Sequence, residues 1–102
     1  MPINGNDRVA FDRYVFDTLM ADLVGHDKQP SAFLVYVYLW SRAGRARQTV
    51  ASLQQIALET GLSKSAVQQA LRTLKRRRLV LARRASITAV PEYAVLRPWR
   101  RS

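Results

Sequence analysis

Residues 52–74 read SLQQIALETGLSKSAVQQALRTL, and this stretch decides the fold. Ser52-Leu53-Gln54-Gln55 has the pattern of a capping box. The Ser52 hydroxyl is placed to accept from the backbone N–H three residues on, and the Gln55 side chain to bond back to the Ser52 N–H. The helix it opens carries Leu53, Ile56 and Ala57 on one face and stops at Gly61. Ser63 then caps a further helix over 63–76, whose apolar stripe is Val67, Ala70, Leu71 and Leu74. Between the two helices, Gly61 supplies the backbone freedom of a tight turn, and the small Ala57 lets the helices approach closely. Leu62 follows as an apolar plug, and Val67 is expected to pack back on the first helix.

Working outward toward the N-terminus, residues 45–51 form a basic connector with room for a short strand at Thr49-Val50. Before it, Pro30-Ser31 and Gly44 bracket a helix from about Ser31 to Arg42. Its run Phe33 to Trp40 is apolar nearly all round, which predicts a central helix covered on several sides. The run is also rich in β-formers, so a strand reading competes; length and the Pro and Gly flanks favour the helix. Residues 1–8 are polar and read as a loose arm. From Val9, the positions Phe11, Tyr14, Val15, Leu19, Met20 and Leu23 predict an extended start passing into a short helix ended by Gly25.

Toward the C-terminus the basic run Lys75 to Arg78 closes the helix, where its dipole favours cations. Leu79–Arg84 and Glu92–Arg97 then read as two short strands around the loop 85–91. The predicted fold class is mainly α with a small β-hairpin (α+β). Residues 1–30 are an arm and short helix packing on the core or on a dimer partner, and residues 31–102 are a three-helix core with a hairpin wing.

The chain has 102 residues, 17 Lys+Arg against 7 Asp+Glu, one His and no Cys, for a formal charge of +10. This length suits one domain. The absence of Cys excludes disulfides, thiolate catalysis and Cys-ligated zinc. The charge is divided unevenly. Residues 1–30 carry three basic residues against five aspartates, a net of −2, so the remaining residues carry +12. The aspartates recur every five residues, a spacing that gathers them on no single helical face, and they read as a hydrated surface. Such a positive field calls for a polyanion, nucleic acid before an anionic membrane. No basic patch followed by an apolar stretch opens the chain, and the longest apolar run is about half a bilayer span, so a cytoplasmic protein is expected.

With its basic hairpin, the segment 31–97 resembles the winged helix-turn-helix DNA-binding domain of bacterial transcriptional regulators of the MarR and GntR type. It is also similar to the winged-helix domains of some plasmid and phage replication initiators. It departs from them at Ala70, where a larger aliphatic residue is usual. The resemblance implies double-stranded DNA as partner and no cofactor. It places Ser63, Lys64, Ser65, Gln68, Gln69 and Arg72 on the DNA-facing positions. The helical angle agrees: taking Val67 as inward, the far side holds Ser65, Gln69, Arg72 and Arg76, with Gln68 on the flank. Gln can pair with adenine and Arg with guanine in the major groove. Ser52 and the free N–H groups beside it suit a phosphate, and Arg83 and Arg84 at the hairpin tip suit phosphates or the minor groove. Arg45 and Arg47 are weaker backbone-contact candidates.

Other residues take plainer readings. Arg77 and Arg78 point toward the core side and are expected to snorkel or to cap carbonyls. Arg97, Arg100 and Arg101 read as a solubilising tail, His26 as a surface histidine, and Trp40 and Trp99 as packing residues. No catalytic constellation stands out, so an enzyme is not expected. A second copy of the chain is a candidate partner, and no small-molecule effector domain is evident. The competing function is a winged-helix adaptor that docks an acidic protein; RNA binding ranks third, without an RNP-type motif or GxxG loop.

Overall fold

The computed structural model describes residues 8–100. Most of the polar arm expected over 1–8, and Arg101 of the expected tail, lie outside the described residues. The first helical segments of the described residues, Val15–Leu19 and Ala21–His26, are wound with wide π-type turns. Their hydrogen bonds run back five residues, as from the Asp27 N–H to the Asp22 carbonyl at 2.8 Å. Helix α1 (Pro30–Ala43) follows, then a short 3₁₀ turn (Gly44–Ala46), strand β1 (Gln48–Val50), helices α2 (Leu53–Thr60) and α3 (Lys64–Arg76), and strands β2 (Val80–Arg83) and β3 (Glu92–Val95). The strands form one antiparallel sheet in the order β1-β3-β2, so the predicted hairpin gains β1 as a third strand. This is the α+β winged helix-turn-helix architecture.

Helix α1 is the hub. Ala32, Phe33, Val35, Tyr36, Leu39, Trp40 and Ala43 are buried, and only Leu34, Ser41 and Arg42 along its length past Pro30 are exposed. Val15, Leu19 and Leu23 cover one side of it; Ile56, Val67, Ala70, Leu71 and Leu74 cover another, and Val80, Tyr93 and Val95 close the sheet over the end. The small Ala70 is fully buried there. The Tyr36 hydroxyl donates to the Leu96 carbonyl at 2.7 Å, tying α1 to the chain beyond β3. Burial holds the Tyr36 phenol well above its ordinary range. At the other end, the Tyr38 hydroxyl donates to Glu59 of α2 at 2.6 Å, and Arg42 donates to the Thr49 hydroxyl and the Val50 carbonyl of β1. Burial, helped by the Glu59 hydrogen bond, pushes Tyr38 up to about 12. Each bond spans elements that the apolar contacts already join, and so fixes register more than it adds attraction.

Several expectations change. Gly25 does not end the N-terminal helical stretch: it lies inside the second segment, which runs through His26 and is followed by Lys28 in the left-handed region at φ 55°. The capping box is half formed. Ser52 Oγ accepts from the Gln55 N–H at 3.0 Å, but the Gln55 side chain turns along α2 to Glu59 Oε2 at 3.5 Å. Helix α3 ends in a Schellman-type closure in which Arg78, at φ 58°, occupies the position glycine favours and the Leu79 N–H reaches the Leu74 carbonyl at 2.9 Å.

The aspartates are not all a hydrated surface. Asp27 accepts from Arg77 Nε and Nη2, both at 2.7 Å, so Arg77 neither snorkels nor caps carbonyls. This pair clamps the end of the N-terminal helical segment to the end of α3. Asp12 accepts from Trp99 Nε1 at 2.8 Å and from Arg100 Nε at 2.7 Å, so Arg100 is a staple and not a loose tail. Trp99 stacks on Tyr14 and on Trp40, and Trp40 on Phe11, which makes both tryptophans packing residues. His26 is a surface residue, 3.1 Å from Asp27.

The Arg77 guanidinium, and then His26, hold the Asp27 carboxyl down at about 2; Arg100 and Trp99 do the same for Asp12. Both folded values lie below the ordinary carboxylate value near ~3.9. Their stabilisation is therefore complete above that value and is lost as the pH falls through about 2. Asp27→Asn is expected to lower the urea-unfolding free energy at pH 7 by roughly 1–3 kcal/mol. The gap to the wild type should shrink as pH falls from about 4 toward 2. An equal gap at both ends of that range would show that the ionised pair is not the stabilising element.

Candidate nucleic-acid interface

The turn between α2 and α3 is built by local chemistry. Gly61 takes φ 82°, a left-handed conformation that ends α2, and its N–H reaches the Ala57 carbonyl at 2.9 Å. The Thr60 hydroxyl donates to the Ile56 carbonyl at 2.7 Å and accepts from the Leu62 N–H at 3.3 Å. Ser63 then caps α3, its Oγ accepting from the Ala66 N–H at 3.1 Å. Val67 and Leu71 turn inward, which leaves Ser63, Lys64, Ser65, Gln68, Gln69, Arg72 and Arg76 on exposed positions along α3. No acidic residue occurs between Lys64 and Arg84, so the helix and the strand after it present one sign of charge.

Beside α3 lies a cleft of about 390 Å³ between the helix and the wing. Ser52, Gln68, Arg72 and Arg84 line it together, with Lys75, Thr88 and Tyr93. Four of the sequence-predicted residues, drawn from three separate elements, thus converge on one groove. Ser63, Lys64, Ser65, Gln69 and Arg76 do not line it; they occupy the outward ridge and start of α3. Ser52 is half-buried, and its Oγ is already engaged as the cap of α2, so its hydroxyl hydrogen is what remains to offer a phosphate.

The wing separates its two arginines. In the antiparallel register Ala82 faces the buried Tyr93, and Arg83 lies opposite Glu92. Strand alternation therefore sends Arg83 to the outer sheet face beside an acid, while Arg84 turns into the cleft and donates to the Ile87 carbonyl at 3.1 Å. Arg83 is the less suited of the pair to a contact shared with α3. Lys75, absent from the candidates read off the sequence, belongs in the cleft. Gln68, Arg72 and Lys75 follow one another at i, i+4 and i+7, a single stripe on the helix. That spacing was present in the sequence, hidden within the run Lys75 to Arg78.

A protruding capped helix, a turn held by a left-handed glycine and a basic wing folded beside it define the class: a winged helix-turn-helix domain. The chain matches the helix-turn-helix domain family over residues 26–80, more than half its length, and belongs to that family. The matched segment spans α1 through the start of β2. No curated protein and no solved structure matches the chain. Among the described residues no helix is long and apolar enough to cross a membrane.

Because α3 is oriented by its cap as well as by its stripe, Ser63→Ala is expected to cost about 1 kcal/mol of stability by thermal or urea unfolding. Gly61→Ala should cost about 1–2 kcal/mol, since nothing lies within 4 Å of a built Cβ and only the backbone conformation resists it. A neutral Gly61→Ala would contradict the left-handed turn.

Proposed function

We propose that the protein binds double-stranded DNA with sequence preference, as a small transcriptional regulator or replication-associated factor. The observation that carries this reading is the convergence of Gln68, Arg72 and Lys75 of α3 with Arg84 of the wing on one acid-free cleft. Helix α3 enters the major groove with Ser63, Lys64 and Ser65 at its leading end and Gln68, Gln69 and Arg72 along its exposed side. The Ser52 hydroxyl and Arg84 hold the flanking backbone, and Arg76 extends the basic ridge. Phosphate neutralisation supplies most of the affinity, and α3 most of the discrimination. The reading includes no catalytic step and places the protein in the cytoplasm. It also extends to kinship with the regulators and initiators that the sequence resembles.

The reading extends to a two-fold dimer. Phe16, Met20 and Val24 recur at four-residue intervals on the outer side of the N-terminal helical segment, with Leu34 of α1 also exposed. A second copy joined there places two α3 helices on one DNA, suited to a palindromic site. Sedimentation of the protein with a cognate duplex should then give two chains per duplex, and Met20→Lys should give one. A single chain per duplex in the wild type would reject the dimer.

Fluorescence anisotropy against duplex DNA over a salt series tests the main reading. The logarithm of the association constant should fall linearly with the logarithm of salt concentration. Arg72→Ala should cost roughly 1–3 kcal/mol on a site recovered from a random duplex pool, and clearly less on random DNA. Lys75→Ala should weaken both about equally and lower the salt slope by about 1. A flat salt plot, or a pool that enriches nothing, would favour the adaptor reading instead.

A further inference from the structure

A second basic groove lies at the opposite end of the sheet from the wing tip. It has a volume of about 670 Å³ and is lined by Arg47, Gln48, Arg97 and Arg100, with Ala46 and the end of β3. The groove shares no lining residue with the α3 cleft: along β3, Tyr93 turns to the cleft and the adjacent Ala94 to the groove, on opposite faces of the strand. The two basic sites are therefore distinct.

Several features make the groove more than a charged surface. Arg100 is held in place at the groove's edge, its Nε and Nη2 donating to Asp12. Among the described residues no carboxylate forms an ion pair with Arg47 or Arg97; the nearby Asp12 acts on Arg97 only through space, its oxygens being taken by Trp99 and Arg100. The Arg97 Nε is buried without a hydrogen-bond partner among the described residues, a condition that costs stability unless a ligand or water supplies an acceptor. Meanwhile the Arg97 guanidinium lies 3.8 Å above the Trp40 ring, which also makes stacking contacts with Phe11 and Trp99. Arg47 is fixed at its backbone: it takes φ 60°, and its carbonyl accepts from the Val95 N–H at 2.9 Å. Burial first, and then the nearby charges of Arg100 and Arg47, press the Arg97 guanidinium below its ordinary value. An oxyanion would relieve that repulsion.

We propose that Arg47 and Arg97, with Arg100 alongside, form a phosphate-binding site separate from the α3 cleft. Planar guanidinium groups, of which that of Arg97 is held in place over Trp40, are the side chains best matched to a phosphate, which they bind through paired, charge-assisted hydrogen bonds. The site takes one phosphate group. That group belongs either to a free phosphorylated molecule or to the backbone of a DNA segment beyond the one read by α3. The inference stands on this groove alone and does not depend on the DNA reading.

Stacking of Arg97 on Trp40 supplies the readout. The full chain is titrated with inorganic phosphate at constant ionic strength, set with sodium chloride, while tryptophan emission and the Arg97 Nε–Hε resonance are followed. Both signals should change with one saturable midpoint. Arg47→Gln, at an exposed position outside the core, should raise that midpoint about tenfold while leaving the folded spectrum intact. Arg97→Gln should abolish the change, and Arg84→Gln in the other cleft should leave it as in the wild type. A response that does not saturate, or one unaltered by Arg47→Gln, would overturn the site. Adding duplex DNA separates the sources. Displacement of bound phosphate by DNA assigns the groove to a DNA phosphate, whereas simultaneous binding assigns it to a free phosphorylated ligand.

Discussion

A helix apolar on nearly every side has to be wrapped, and α1 imposes that requirement on the rest of the chain. Its Phe33, Val35, Tyr36, Leu39 and Trp40 leave no solvent face wide enough to stand alone. The N-terminal helical segment covers one side, α2 and α3 another, and β3 with its neighbours closes the remainder. Everything functional is arranged as a consequence. Helix α3 must turn Val67, Leu71 and Leu74 toward α1, which forces its polar side outward, and the wing must lie where β3 can reach the Tyr36 hydroxyl through Leu96.

Charge is arranged around that wrapped helix with a division of labour. The acidic N-terminal third spends two of its aspartates on internal clamps: Asp27 on Arg77, and Asp12 on Trp99 and Arg100. These pairs remove two arginines from the pool of free cations and hold the ends of α3 and of the chain after β3 against the N-terminal segment. Of the cations outside these pairs, two groups gather in concave sites, the cleft of α3 and the groove of Arg47 and Arg97. The formal charge of +10 is thus a sum over distinct sites and not a uniform field.

The parts of this fold that local chemistry determines were legible in the sequence. Ser52, Gly61 and Ser63 announce caps and a turn through interactions spanning only three or four residues, and the inward stripe of α3 follows from its period. The exposed positions of α3 followed from the same period. Contacts across long stretches of chain left no such mark. The Asp27–Arg77 pair joins residues fifty apart, and Asp12 meets Arg100 across nearly the whole chain; the five-residue spacing of the aspartates carries no hint of either. The N-terminal helical segment runs past Gly25 because Lys28 adopts the left-handed conformation usually left to glycine; α3 ends at Arg76 as expected, but its closure through a left-handed Arg78 left no mark in the sequence. The difference between Arg83 and Arg84 depends on strand register, which two adjacent arginines at a hairpin end do not specify.

The central claim is that the exposed side of α3 and the cleft it shares with the wing form the surface that meets DNA. Backbone amide chemical shifts, followed while a duplex is added to the full chain, test it most directly. The account predicts the largest changes across residues 63–76 and 84–91, with the buried faces of α1 and the N-terminal helical segment nearly unmoved. Largest changes along Phe16, Met20 and Val24 instead, with α3 undisturbed, would contradict it.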